Sequence, residues 1–221
     1  MDGNGRWAKK QGKLRSAGHI KGAEVFRTIT RHCEKLGIEA LTVYAFSTEN
    51  WKRPAEEVDA LMQLFHRYLR EALDFTGENI RMNFIGDRAP LGAELQKLMA
   101  RLEEESADNT GLILNIAINY GGRDEIVRAA AKLVQTAQQT GLEAKDITAQ
   151  LFEQQLYTAG QPEVDMILRP SGEHRISNFL LWQCAYSEFV YMDVLWPDFT
   201  PEHLELAIAE YQQRKRRFGA L

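Results

Sequence analysis

Residues able to do chemistry gather in three short blocks, the first at the start of the chain. In Asp2-Gly3-Asn4-Gly5-Arg6-Trp7, two glycines let the backbone approach a ligand and turn N–H groups toward it. Arg6 can fork onto phosphate oxygens, and Asp2 suits a hard divalent cation. Magnesium is usually held by one or two carboxylates together with substrate phosphates, so one aspartate beside a phosphate cradle is enough. A plain Gly/Asn turn accounts for the local composition equally well. The run is not a Walker loop, because the Gly-Lys-Ser/Thr ending is missing.

The second block is Phe46-Ser47-Thr48-Glu49-Asn50-Trp51-Lys52-Arg53-Pro54. Ser, Thr and Asn ahead of a proline are ordinary helix-start chemistry. Capping alone requires neither Trp51 nor Arg53. The third block, Arg169-Pro170-Ser171-Gly172-Glu173-His174-Arg175-Ile176-Ser177-Asn178-Phe179, sets two arginines six apart among Gly and Ser, as in a second anion clamp. His174 alone reads as a structural histidine; beside two arginines it reads as a ligand-side residue. Glu188 is an acid inside the apolar run 180–191. Most such acids are surface residues, but one near the carboxyl edge of a sheet completes a metal site.

These blocks need a scaffold, and the sequence describes one. Apolar, β-branched runs at 40–46, 80–85, 112–117 and 164–168 read as buried strands. Helical spacing fills 22–36, 55–76, 91–107, 122–140 and 202–217, with Gly37, Gly77, Gly111 and Gly141 where helices stop. Strand–helix alternation of this kind predicts an α/β fold with a mostly parallel central sheet flanked by helices. Ligands of such sheets bind at the carboxyl ends of the strands. The segments following the strands, 47–53, 86–88, 119–123 and 169–177, therefore belong at one polar, cationic edge. Helix 55–76 carries Leu61, Met62, Leu64, Phe65, Tyr68, Leu69 and Leu73 over a wide arc, as either a core helix or the wall of an apolar cavity. No repeat or linker divides residues 1–221, so a single domain is expected.

Composition narrows the class. The 221 residues are 44% hydrophobic with a net charge of −4, ordinary for a globular chain. Two cysteines, Cys33 and Cys184, make neither a disulfide framework nor a metal cluster and fit a reducing cytoplasm. Residues 1–21 hold Arg6, Lys9, Lys10, Lys13, Arg15 and Lys21 against Asp2 alone, a composition that suits an anionic ligand. A second basic run, 214–217, reads as a solvated tail. An acidic chain without recognition motifs is a poor nucleic-acid binder, so no nucleic-acid partner is expected.

Taken in order, the three blocks resemble the signature regions of the cis-prenyltransferase family. Those are the Asp-Gly-Asn-Gly-Arg-Trp start, Phe-Ser-x-Glu-Asn-Trp-x-Arg-Pro, and Arg-x-x-Gly-Glu-x-Arg-x-Ser-Asn-Phe-Leu-Leu-Trp-Gln. Asn119-Tyr120-Gly121-Gly122-Arg123 and Val194-Leu195-Trp196-Pro197-Asp198-Phe199 match as well. The resemblance spans essentially the whole chain and is strongest to bacterial undecaprenyl diphosphate synthases. It implies a transferase that condenses isopentenyl diphosphate onto farnesyl diphosphate with Mg2+, giving a long polyprenyl diphosphate for the cell-wall lipid carrier. It also implies a cytoplasmic homodimer, in peripheral contact with the inner face of the membrane because the product is a lipid. The apolar run 189–196 is the candidate interface.

By that resemblance, Asp2 handles magnesium and the allylic diphosphate, which Gly3, Asn4, Gly5, Arg6, Trp7, Arg15 and His19 cradle. Ser47, Thr48 and Glu49 line the site, Asn50 stands where the family's proposed proton acceptor lies, and Trp51 and Arg53 bind substrate. Arg169, Arg175, Ile176 and Ser177 match the isopentenyl diphosphate site, and Glu188 the second magnesium carboxylate. Asn50 is a poor base by its own chemistry, so it is expected to orient a water or a phosphate oxygen. Two features depart from the family. Pro170-Ser171 replaces a Thr-Gly pair, and the strand that usually precedes the aspartate is expected upstream of Met1. Adjacent aspartates are missing, which excludes trans-prenyltransferases. A non-catalytic partner subunit of the same fold is the alternative, although such subunits lose the aspartate block.

Overall fold

Parallel strands need crossovers, and here those crossovers are helices. The computed structural model describes residues 1–73 and 78–214. Strands β1 (Ala40–Ser47), β2 (Ile80–Ile85) and β3 (Leu112–Tyr120) form a parallel sheet in the order β1-β3-β2. β4 (Met166–Arg169) and β5 (Glu188–Tyr191) form a second parallel pair. The expected parallel sheet is thus laid out as three strands plus two, and among the described residues β1 and β4 each pair along one edge only.

The helices are α1 (Asn4–Lys10), α2 (Arg15–Lys35), α3 (Ala55–Leu73), α4 (Ala93–Glu105), α5 (Gly122–Thr140), α6 (Ala149–Glu153) and α7 (Pro201–Gln213). The sequence pattern locates α3, α4, α5 and α7 within a few residues. Residues 74–76 of the expected helix 55–76, Gly77, and 215–217 of the basic tail lie outside the described residues.

Two differences have a common cause. α2 begins at Arg15 rather than 22, and residues 4–10 are a helix where the sequence suggested only a loop. Gly18 and Gly22 are poor helix formers, yet both lie inside α2. They are there because α1 lies directly on them. A Cβ on Gly18 would stand 2.1 Å from the Asn4 carbonyl oxygen, and one on Gly22 would stand 2.3 Å from Asn4 Oδ1. Packing overrides propensity here.

β3 is the most deeply buried strand, as a central parallel strand covered on both faces should be. Its mid-strand polar position, Asn115, is satisfied across the sheet. In register with Thr42 and Asn83, its amide nitrogen donates to Thr42 Oγ1 at 3.1 Å and to Gln161 Oε1 at 2.6 Å. Its oxygen accepts from Asn83 at 2.8 Å and from Gln161 at 3.0 Å. Asn115→Ala leaves the Asn83 and Gln161 amides without their partner and opens a small void. A loss of about 2–4 kcal/mol is expected, read from urea unfolding midpoints at unchanged m. A loss below about 1 kcal/mol would mean the row contributes little.

Candidate active site

One cavity of about 2400 Å³ reaches the carboxyl ends of β1 and β4. Its lining includes Asp2, Gly3, Asn4, Gly5, Arg6, Arg15, His19, Ser47, Glu49, Asn50, Arg53, Arg169, Arg175, Ile176 and Ser177. Apolar side chains continue the same wall: Phe26 and Ile29 from α2, and Leu61, Leu64, Phe65, Leu69 and Ala72 from α3. A cationic cradle and an apolar sleeve therefore share one space.

Asp2 sits at the junction of distant segments. Its Oδ1 accepts the Gly3 N–H at 2.7 Å and its Oδ2 accepts Arg169 at 2.9 Å. Burial pushes its carboxyl up, but the Arg169 hydrogen bond and the Gly3 N–H outweigh that and hold it below the usual carboxylate range. The Asp2 carbonyl accepts from Trp196 N–H at 3.0 Å and from Ser171 Oγ at 2.6 Å. Ser171 makes this bond from a left-handed backbone, φ 83°, which costs an L-residue on the order of 1–2 kcal/mol. Gly3 lies against it, also left-handed at φ 94°, where a Cβ would meet Ser171 Oγ at 2.4 Å. Ser171 thus supplies the hydroxyl that pins Asp2.

The arginines divide their work. Arg169 is spent internally, on Asp2, on Ser177 Oγ at 2.8 Å and on the Arg175 carbonyl. Arg6 and Arg175 have side chains 47% and 62% exposed, and both meet Glu173. Arg6 also donates to the Ser171 carbonyl at 3.0 Å, yet both side chains are exposed enough to turn onto a ligand.

A second cluster lies between α2 and α3. Glu57 accepts from Arg15 and from Arg53, each at 3.0 Å. His19 Nε2 stands 3.8 Å from Glu57, too far for a hydrogen bond, and is buried without a partner in the protein. Burial, aided by Arg53, lowers the His19 pKa to about 4, so its ring is neutral at pH 7.

The strand-end loops do converge. Asn178 takes the Gly122 N–H on its carbonyl at 2.7 Å and the Arg123 N–H on Oδ1 at 2.8 Å, and donates to Glu49 at 3.0 Å. Burial raises the Glu49 carboxyl, but hydrogen bonds from its own backbone, Asn178, Ser47 and Thr48 bring it below the ordinary value. Asn50 Oδ1 accepts the Ser47 N–H at 3.2 Å, completing a capping box. What Asn50 keeps available is its NH2, a donor, which suits orienting an oxygen better than accepting a proton.

Four expected residues stand apart and correct the sequence reading. Trp7 donates to Asp198 at 2.7 Å, beneath Lys13, and does not line the cavity. Thr48 bonds Asp124 at 3.1 Å, and Trp51 bonds Asn119 at 2.7 Å while packing on Phe46; both border a separate pocket of about 390 Å³. Their backbone follows β1, but their side chains turn away. Glu188 opens β5, opposite Met166, whereas Arg169 and Asp2 meet at the other end of the pair. Three residues of strand, about 10 Å, separate it from Asp2 within the chain, and Arg214 neutralises it at 2.8 Å. Lys9, Lys10, Lys13 and Lys21 also lie outside the cavity lining. The run 189–196 spends Val190, Leu195 and Trp196 on the chain's own interior.

Three residues that matter here went unread. Glu57 is one helical turn after Arg53, a spacing that signals an ion pair. Ser171 and Asn178 owe their importance to backbone conformations that composition does not announce.

Comparison with known proteins came to the same place. The prenyltransferase family model, described as undecaprenyl diphosphate synthase, matches residues 1–219. An isoprenyl transferase of Clostridium tetani is 50% identical over all of this chain and 87% of its own length. A ditrans,polycis-undecaprenyl-diphosphate synthase ((2E,6E)-farnesyl-diphosphate specific) of Pasteurella multocida is 49% identical, covering 99% of this chain and 92% of its own. The crystal structure of lavandulyl diphosphate synthase from Lavandula x intermedia, in complex with dimethylallyl diphosphate, superposes with a TM-score of 0.95. It is 37% identical and covers 99% of this chain and 95% of that one.

His19 makes a pH prediction. The unfolded chain binds a proton at His19 below pH 6.5 that the fold refuses until about pH 4. The neutral ring's contribution to stability is therefore complete above pH 6.5 and is lost as the pH falls toward 4. His19→Asn removes this titration, so its melting temperature should fall less steeply than that of the unaltered protein across the window. Equal slopes in calorimetry would contradict the buried neutral ring.

Proposed function

Since this chain belongs to the undecaprenyl diphosphate synthase family of prenyltransferases, we propose that it adds isopentenyl diphosphate in cis onto farnesyl diphosphate. The product is a long-chain polyprenyl diphosphate, undecaprenyl diphosphate, for the lipid carrier of cell-wall peptidoglycan synthesis. The observation that carries this reading is the single cavity in which arginines and an aspartate adjoin an apolar wall. An isoprenoid diphosphate has those two halves. The relatives' enzyme names give no support to a non-catalytic subunit.

In this reading the allylic C–O bond loosens as negative charge gathers on the departing diphosphate. Arg6 and Arg15, with N–H groups near Gly3 and Gly5, stabilise that charge where it develops. Arg175, Ile176 and Ser177 hold isopentenyl diphosphate so that its double bond faces the allylic carbon, a positional contribution of comparable size. Arg169 holds the loop and Asp2 together. Asn50 orients, through its NH2, the oxygen that receives the departing proton.

The donor set fits magnesium of the kind that one carboxylate and substrate phosphates share. Asp2 lines the cavity with its pKa lowered, and no cluster of three or more possible ligands exists among the described residues. Bound to Asp2 and diphosphate oxygens, the ion would offset charge on the leaving group. Glu188 is left outside this set.

We also propose that residues 1–221 act as one catalytic domain within a homodimer in the cytoplasm. No helix among the described residues is long and apolar enough to cross a membrane.

Incorporation of radiolabelled isopentenyl diphosphate into butanol-extractable product tests the reaction; no incorporation with any allylic starter would reject it. Asp2→Ala should cut turnover about 100-fold or more while the melt stays cooperative. Near-normal turnover would remove Asp2 from the chemistry.

Product length gives a second test. Buried carbon contributes about 0.8 kcal/mol per methylene, so elongation is favourable until the tail meets a wall. Ala72 lines the cavity, whereas Ala60 is exposed on the other face of α3. Ala72→Leu should therefore shorten the polyprenols on thin-layer plates, with Ala60→Leu as the silent control. Unchanged lengths for Ala72→Leu would place the tail elsewhere.

A further inference from the structure

The lysines that the cavity leaves out form a surface of their own. Residues 9–16 are all exposed, spanning the end of α1, the connector and the first turn of α2. Lys9 and Lys10 make no ion pair among the described residues; Lys13 lies over the Trp7 ring, 5.3 Å from its centroid. Of the acids that reach α1, Asp198 is taken by the Trp7 indole, while Asp2 and Glu173 lie at Arg6 and not at the lysines. Amid these ammonium groups Leu14 is 82% exposed, the most exposed large apolar side chain described. Two unpaired ammonium groups, and a third resting on an indole face, around a bare leucine are poorly explained by contact with water alone.

We propose that residues 9–14 dock the protein onto an anionic lipid bilayer. The charges are complementary: lysine ammonium groups meet lipid phosphates at the headgroup level, and Leu14 enters the boundary just beneath. The placement is apt as well. Arg6 and Arg15, on the same two helices, line the cavity, so the docked edge adjoins its diphosphate-binding end. A product with a charged head and an apolar tail meets the bilayer at the level its head must occupy. The inference rests on the proposed reaction only for that last point.

Sedimentation with sucrose-loaded vesicles tests it without reading turnover, so it can fail independently of the reaction. The unaltered protein should co-sediment with phosphatidylglycerol-containing vesicles, release as salt rises, and ignore pure phosphatidylcholine. Each of Lys9→Ala, Lys10→Ala and Lys13→Ala should weaken partitioning about fivefold. Lys9→Glu, Lys10→Glu and Lys13→Glu combined should abolish it, and Leu14→Ser should weaken it severalfold. Melting temperature and turnover of a short-tailed starter in free solution should stay within about twofold of normal, since none of these residues lines the cavity. Lys215→Ala, Arg216→Ala and Arg217→Ala combined control for the basic tail. The proposal is overturned if the unaltered protein binds neither vesicle, binds both equally, or is displaced by the tail substitutions and not by the reversed lysines.

Discussion

The pair between Asp2 and Arg169 joins residues 167 apart in sequence, and much of the site depends on it. Arg169 ends β4, so its position is set by strand pairing; Asp2 leads into α1, whose position is set by two glycines of α2. Neither element touches the other extensively. Their agreement is enforced by a carboxylate and a guanidinium, with Ser171 and Trp196 holding the backbone of Asp2 from the other side. Charge-assisted bonds of this kind are among the stronger ones a protein makes, and removing one partner strands the other half-buried.

Around this pair the cations fall into two states. Arg169 is engaged by its own chain on every side. Arg6 and Arg175 share Glu173, and Arg15 and Arg53 share Glu57. The guanidinium groups of Arg6, Arg15 and Arg175 are the well-exposed partners in these pairs, so a diphosphate can compete for them. A clamp assembled in this way is prepaid in position while remaining open in charge. His19, kept neutral among arginines, avoids adding a repelling charge to the interior.

Much of the architecture was legible in the sequence, and most of the expected site residues do line the cavity. Blocks of Gly, Ser and Arg after apolar runs announce strand ends, and strand ends of a parallel sheet must meet; Ser47, Arg169 and Ser177 follow. Side-chain direction was not legible. Thr48 and Trp51 alternate with Ser47 and Asn50 along one short turn, and only the turn's geometry decides which side each faces. Glu188 failed for a related reason: its place at the beginning of β5, and not its end, depends on the pairing register with β4. The first turns of α2, 15–21, were not legible, because a helix that carries glycines for close approach to a neighbour looks in sequence like a weak helix.

The row formed by Thr42, Asn115 and Asn83 bears on time as well as on energy. It joins residues 73 and 32 positions apart, and parallel pairing over such separations closes long loops before any contact rewards them. A strand slipped by one residue would carry Asn115 to the opposite face and leave a buried amide unpaired. A misregistered sheet is therefore penalised in energy. The row thus favours the native register over a slipped one, in a topology whose long loops are slow to close.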